Sequence, residues 1–404
     1  MVKVLLIITC LFSGLFSGQE IRSIQLFNPQ TNDQTPVIRF NEKLVLHFDD
    51  LQHSPQIYRY TLRHLDRNWK DDGLFFSEFA TGSLNAIIED YQHSFNTLQP
   101  YIHYSLIFPN EKIRPKISGN FELVVYKDSP SKPLFTKRFA VVEDAVKVGI
   151  TVNRFADARR PQLNQRLEIQ AFSSGHNLSS IANTFSLNVM QNNNWDSAVF
   201  GEKPSSASAQ SVNFQNINLA FSGNNEFYYF DNKMINQPFD MVMAAENRNG
   251  ENHTLLFPVW AYPLNYQFQP DVNGAFYFRR NDLGLERNGN NEADYAYVHF
   301  ALDSDKTDSE IYVLGQFNEY SADEKSKMFY DPVLKKYFAK IYLKQGFYNY
   351  MLATKKEGRS LDFSEINGNF WQTDNLYQAF LYYRPFSGNY DGLIGYGETR
   401  KSLR

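Results

Sequence analysis

The run Asp303-Ser304-Asp305-Lys306-Thr307-Asp308-Ser309-Glu310 opens with the carboxylate spacing of a calcium loop. An EF-hand also needs glycine at its sixth position for the sharp turn and glutamate at its twelfth for bidentate ligation. Those positions hold Asp308 and Leu314, so the run reads as a solvated hairpin loop. The glycines of GLIGYG (392–397) have the wrong spacing for a dinucleotide turn and read as turn glycines. H-E-x-x-H, G-x-S-x-G and G-x-x-x-x-G-K-[ST] do not occur, and no two of the eight histidines stand at i, i+2 or i, i+4. Nothing singles out a carboxylate pair for glycoside hydrolysis. No catalytic, cofactor-binding or metal-binding residue is nominated, no cofactor is expected, and the chain reads as a non-enzyme. The remaining chemistry is that of aromatic contact. Trp195 in QNNNWDSA and Trp371 in NGNFWQTDN stand among asparagines and are nominated as partner-contact residues, because tryptophan and tyrosine anchor interfaces. The competing reading folds each ring back onto its own core.

The elements that must position these rings are strands. Aromatics make up 16 % of the chain, with 35 Phe and 25 Tyr, and such residues suit a pleated, half-buried surface. Period-two segments recur at short intervals: KLVLHFD (43–49), YRYTLRHL (58–65), HYSLIF (103–108), FELVVYK (121–127), FTKRFAVVE (135–143), RLEIQAF (166–172) and YAYVHFAL (295–302). The expected fold is all-β, with tandem Ig-like sandwiches of about 100 residues each. The N-terminus, MVKVLLIITCLFSGLFSGQE, has the order of a secretory signal peptide, with cleavage expected after Gly18. Its removal takes away Cys10, the only cysteine, and with it any disulfide or thiolate metal site. The expected units are then 1–18 signal peptide, 19–144 N-terminal sandwich, 145–263 middle sandwich and 264–404 C-terminal sandwich. A net charge of −4 gives no field that would attract nucleic acid, and no later apolar run is long enough for a membrane-spanning helix. Neither nucleic-acid binding nor direct membrane insertion is expected, and a small-molecule ligand is not favoured.

From Glu310 the chain reads EIYVLGQFNEY and then KMFYDPVLKKYFAKIYLKQGFYNYML. This resembles the E-set Ig-like modules found beside starch-active enzymes, with their order of strand, G-x-F-N-x-W and L-x-x-G-x-Y-x-Y-x-F. Tyr320 stands where those modules carry tryptophan, which shrinks a sugar-stacking face; it joins Trp195 and Trp371 as a nominated partner contact. After Gly346, alternation puts Tyr348, Tyr350 and Leu352 on one face and Phe347, Asn349 and Met351 on the other, and the first face is the expected core.

A wider likeness covers nearly the whole chain. IRSIQLF (21–27), RHLDRNW (63–69), HSFNT (93–97), FPNEKIRPKISGNFELVVYKD (108–128), VMQNNNWDSA (189–198), SGNNEFYYFD (222–231), NEADYAYVHFAL (291–302), LKQGFYNYML (343–352) and YDGLIGY (390–396) resemble the type IX secretion system plug proteins. Leu65 stands where members often carry cysteine, a departure expected to affect packing only. The resemblance implies a periplasmic sandwich protein, associated with the outer membrane through its partner. It would bind the periplasmic opening of the giant SprA-type outer-membrane β-barrel translocon and seal that channel. Two alternatives remain open: a periplasmic carbohydrate-binding module with an E-set fold, and a secreted cargo of the same system.

Overall fold

The computed structural model describes residues 21–52, 54–155, 157–160, 165–175 and 177–400; the expected signal peptide and Cys10 lie outside them. The period-two segments form strands within a residue or two of their expected bounds, and they build three sandwiches. In the first, one sheet has the order Ile21–Phe27, Leu44–Asp50, Ile102–Phe108, Asp90–His93. The facing sheet has the order Val37–Arg39, Phe135–Val142, Gly119–Tyr126, Tyr58–Leu65, Ala86–Ile88. Alternate residues of both sheets meet in an aromatic-rich core that includes Phe48, Tyr58, Tyr104, Phe121 and Phe139.

The next two sandwiches do not follow one another along the chain. The middle one has a sheet from 147–221, built on the strands Lys147–Arg154 and Gln165–Phe172. Its second sheet has the order Asn194–Glu202, Phe185–Gln191, Leu376–Tyr383, Gly392–Arg400, so its last two strands come from the end of the chain. Phe185 pairs with Tyr383 and Gln191 with Tyr377 in an unbroken antiparallel register. The third sandwich lies between these two parts. One sheet combines Tyr228–Asp231, Gly346–Lys355, Phe276–Phe278 and Glu310–Leu314; the other runs Val242–Arg248, Glu251–Leu256, Tyr295–Asp303, Lys336–Lys344, Phe329–Asp331. Strand pairing thus cuts across the linear boundary expected at 263/264. Residues 228–256 belong to the third sandwich, residues 376–400 belong to the middle one, and the third is an insertion within the middle.

GLIGYG shows what holds the returning strand. These glycines are not turn glycines: 392–397 lie inside the strand Gly392–Arg400, which crosses close to Lys147–Arg154. A Cβ on Gly395 would stand 2.6 Å from the Val146 carbonyl oxygen and 2.9 Å from Val148 Cγ2, and one on Gly397 would run into the Val148 carbonyl. Glycine in a strand is here the mark of a close backbone approach. The two backbones bond across that approach, Val146 N–H to Ile394 O at 3.0 Å and Glu143 N–H to Leu393 O at 3.0 Å.

LKQGFYNYML behaves as its alternation requires. Tyr348, Tyr350 and Leu352 are buried in the core of the third sandwich, and the Tyr348 ring stacks on Phe230 at 5.0 Å and on Phe276 at 5.7 Å. Asn349 on the other face is also fully buried, and its Oδ1 accepts the Val272 N–H at 2.7 Å.

Candidate functional site: the interdomain junctions

The asparagine-rich stretches are joints. In VMQNNNWDSA, Gln191 pairs with Asn194, leaving Asn192 and Asn193 as a two-residue hairpin loop with φ of 54° and 58°. This is the type I′ turn that asparagine tolerates in the left-handed region. The Asn192 side chain donates to Asn375 Oδ1 at 2.8 Å and accepts the Leu376 N–H at 2.9 Å. Asn193 Oδ1 accepts from Thr35 Oγ1 of the first sandwich at 2.9 Å and from Gln378 Nε2 at 2.6 Å. The two connections between middle and third sandwiches, near 222–226 and 367–375, are stapled side by side. Phe370 N–H donates to Asn224 O at 2.8 Å, Asn375 Nδ2 to Gly223 O at 2.7 Å and Thr373 Oγ1 to Asn224 O at 2.9 Å. Buried backbone outside a sheet must find partners, and these amides supply them. Asp271 lies at the same joint, where it accepts the Phe227 N–H at 2.6 Å; burial pushes its pKa up to about 7.

The first sandwich meets the middle one through RHLDRNW and YDGLIGY. Arg67 Nη1 donates to the buried Asp391 Oδ1 at 2.8 Å, Asn188 Nδ2 to Arg67 O at 2.6 Å and Tyr382 OH to Asn120 Oδ1 at 2.7 Å. Ala140 and Val142 pack there against Met190, Phe380, Tyr382 and Leu393. Trp69 is held at φ 61°, a left-handed conformation that is an outlier for so bulky a residue. From that backbone its indole lies in the joint, edge-on to Trp195 at 4.9 Å and beneath the Arg138 guanidinium at 4.9 Å.

The first and third sandwiches meet around a buried charge cluster. Asp49 Oδ2 accepts from Lys344 Nζ at 2.7 Å and from Tyr295 OH at 2.7 Å, while Asp49 Oδ1 accepts from His103 Nδ1 at 2.7 Å. Lys344 Nζ also donates to Asn290 O at 2.6 Å and lies 4.3 Å from the Tyr101 ring centroid. Burial would raise the Asp49 carboxyl, but the Lys344 charge and the His103 bond outweigh it and hold the pKa below the ordinary value. His47 lies edge-on to His103 at 4.7 Å; burial, with the nearby His103 and Lys344 charges, drives its pKa down to about 3.

The three nominated contact residues fall into this setting unequally. Tyr320 is 3 % exposed, at φ 55°, and its OH donates to Asn192 O at 2.8 Å. It joins the third sandwich to the middle one and has no ring face to offer a partner molecule. Trp195 is half-buried against Trp69 and Phe380, on the wall of a 440 Å³ cleft between the sandwiches that the Lys137–Glu319 ion pair also lines. Trp371 is half-buried, with the Arg154 guanidinium 5.3 Å from its ring centroid, and its carbonyl accepts from Gln165 Nε2 at 2.8 Å. Asp49 and Lys344 were not foreseen. Both lie on the outward-facing positions of their strands, where alternation predicts solvent.

Residues 21–143 match the model of the type 9 secretion system plug protein first domain. No curated protein matches the chain. Among solved structures, a hypothetical protein from Parabacteroides merdae ATCC 43184 is similar over 94 % of this chain and 97 % of its own, with 29 % identity and a TM-score of 0.89. That plug model is a secretion-system domain and not an enzyme family, and its span coincides with the first sandwich, which contributes Asp49, Trp69 and His103 to the junctions. The match over residues 21–143 supports the type 9 secretion system plug protein family.

Proposed function

We propose that the protein is a non-enzymatic periplasmic plug that binds the periplasmic opening of a SprA-type outer-membrane β-barrel translocon and seals its channel. The observation that carries this reading is the way the sandwiches are fixed to one another. A body that closes a wide pore must keep its shape against thermal bending, and inter-domain motion is the default unless the interface prevents it. Here the third sandwich is tied by two stapled connections, and the first is held by Asp49–Lys344, Arg67–Asp391 and an apolar cluster. Obstruction needs no chemistry, only fit and an interface of roughly 1,200 Å² or more. The location that follows is the periplasm, against the outer membrane through the partner.

A carbohydrate-binding module needs an exposed ring on which sugar can stack, and the Arg154 guanidinium stands over the ring of Trp371. The test is single-channel conductance of the purified translocon barrel in planar bilayers, with and without the purified chain. The expected result is a saturable fall in conductance on adding the chain to the periplasmic side. Unchanged conductance with no binding of the barrel would refute the plug reading, and recovery of the processed chain in the culture medium would favour cargo.

A further inference from the structure

The backbone of the HSFNT loop is fastened at several points, yet the apolar side chains beside them are left largely in solvent. Ser94 N–H donates to Tyr101 O at 2.9 Å, Tyr101 N–H returns to Ser94 Oγ at 3.0 Å, and Thr97 Oγ1 bonds Gln99 O at 3.0 Å. The third sandwich supplies the other fastenings. Phe95 N–H donates to Asn291 O at 2.7 Å, the Asp294 carboxylate accepts Leu98 N–H at 2.6 Å and Gln99 N–H at 3.1 Å, and Arg280 Nη1 donates to Asn96 O at 2.7 Å. Phe95 is nevertheless 67 % exposed and Leu98 58 %. Arg280 belongs to the short hairpin of Arg280–Asp282 and Leu285–Arg287, whose tip presents Leu283 at 94 % exposure and Leu285 at 60 %.

Ordering a loop costs conformational entropy, ordinarily offset by burying its side chains. Here the backbone is ordered and the apolar groups are not buried, so they are anchors held ready for an outside surface. We propose that Phe95, Leu98, Leu283 and Leu285 form the patch through which this protein grips the secretion-machinery barrel, meeting an apolar surface at its periplasmic opening. The grip requires the first and third sandwiches to be docked. This rests on the plug reading and names the contact it uses. Three observations favour that occupant. Phe95 and Leu98 lie within residues 21–143, the part that matches the plug model. The four side chains expose on the order of 500 Å², the size of the largest and often functional apolar patch on a monomer and fit for the centre of a standard interface. The patch is also continuous with the buried seam: Tyr101, at the foot of the loop, lies edge-on to Tyr295 at 5.6 Å, and Tyr295 binds Asp49.

Each sandwich supplies half of the patch, so the buried Asp49–Lys344 pair acts on binding without touching the partner. The experiment measures binding of the full chain to the purified, detergent-solubilised translocon barrel by biolayer interferometry, with the melting temperature of each variant alongside. Phe95→Ser with Leu283→Ser should leave the melting temperature unchanged and weaken binding by about ten-fold or more. Lys344→Met should weaken binding although residue 344 is buried. The double variant Asp49→Asn with Lys344→Met, which leaves no lone buried charge, should recover stability while binding stays below wild type. Wild-type binding by the Phe95/Leu283 variant would overturn the proposal and leave the plug reading standing. Absence of binding by the wild-type chain would overturn both. A concentration-dependent dimer in sedimentation velocity that Phe95→Ser abolishes would assign the patch to a second copy of the chain and overturn the proposal as stated.

Discussion

Gly395→Ala tests whether the end of the chain closes the middle sandwich by backbone approach. The new Cβ would stand 2.6 Å from the Val146 carbonyl oxygen, against the 3.4 Å at which ordinary contact begins, so the two strands must part by about 0.8 Å. The facing atom is backbone and cannot rotate away. Parting by that amount stretches the adjacent Val146 N–H to Ile394 O bond from 3.0 Å beyond hydrogen-bonding range. Overpacking of this kind costs about 1–3 kcal/mol and the weakened bond about 1 kcal/mol more. The reduced freedom of the unfolded chain returns about 0.4–1 kcal/mol. The net expectation is a loss of about 2 kcal/mol. Urea unfolding followed by far-UV circular dichroism measures it, with Gly149→Ala as control. Gly149 lies on the neighbouring strand, where an added Cβ finds only Gln170 O at 4.0 Å, so that variant should be neutral or slightly stabilising. If Gly395→Ala matched wild type in midpoint and slope, the close approach of the strands would not be holding the returning strand, and the argument would fail.

Three further outcomes follow from the same geometry. Tyr348→Ala removes a ring that is 1 % exposed between Phe230 and Phe276 and should cost about 3–5 kcal/mol in the same urea assay. His47→Phe keeps a ring at the first-to-third seam but cannot titrate. Because the folded His47 pKa is about 3 and the unfolded value is 6.5, the unfolded chain takes up a proton first as pH falls, and wild type loses stability from about pH 6.5 downward to pH 3. The melting temperature of His47→Phe relative to wild type should therefore rise between pH 7 and pH 4 in scanning calorimetry; a constant difference would mean that His47 is not held neutral. Tyr320→Phe strips the hydroxyl from the Asn192 carbonyl in the joint and should cost about 1–3 kcal/mol by thermal unfolding, whereas a surface contact residue would show no change.

Legibility in the sequence stopped at the sheet. Tyr58–Leu65 and Phe135–Val142 were readable because alternation reports which side chains leave the water, and that is a local property. Which strand lies beside Phe185–Gln191 is not local, and no pattern in residues 376–383 distinguishes a partner almost 200 residues upstream from one nearby. GLIGYG did carry a signal: glycines spaced two and three apart in an otherwise apolar segment fit a strand under a close neighbour as well as a turn. The asparagines around Trp195 and Trp371 suggested exposed loops, since asparagine is a turn former. It bonds backbone equally well inside a joint, and there the rings are half covered. Lys344 was the least legible, because its strand places it on the outward face beside Lys340 and Tyr342. It is buried at the seam with the first sandwich, where its Nζ bonds Asp49.

The seams also bear on how such a body could ever yield. An apolar seam tolerates sliding, because its attraction is not directional, whereas a seam built on Asp49, Lys344 and His103 penalises any offset that leaves one charge buried alone, by about 3–5 kcal/mol. Directional seams of this kind hold the sandwiches in one arrangement. Their covalent ties are not equal, however. The third sandwich is joined to the middle one by two connections that bond to each other, while the first is joined by residues 143–146 alone. Opening of the first sandwich is therefore opposed by one covalent connection and its seams, whereas parting of the other two is opposed by a doubled connection. That opening separates Phe95 and Leu98 from Leu283 and Leu285 at the same moment that it breaks the Asp49–Lys344 pair.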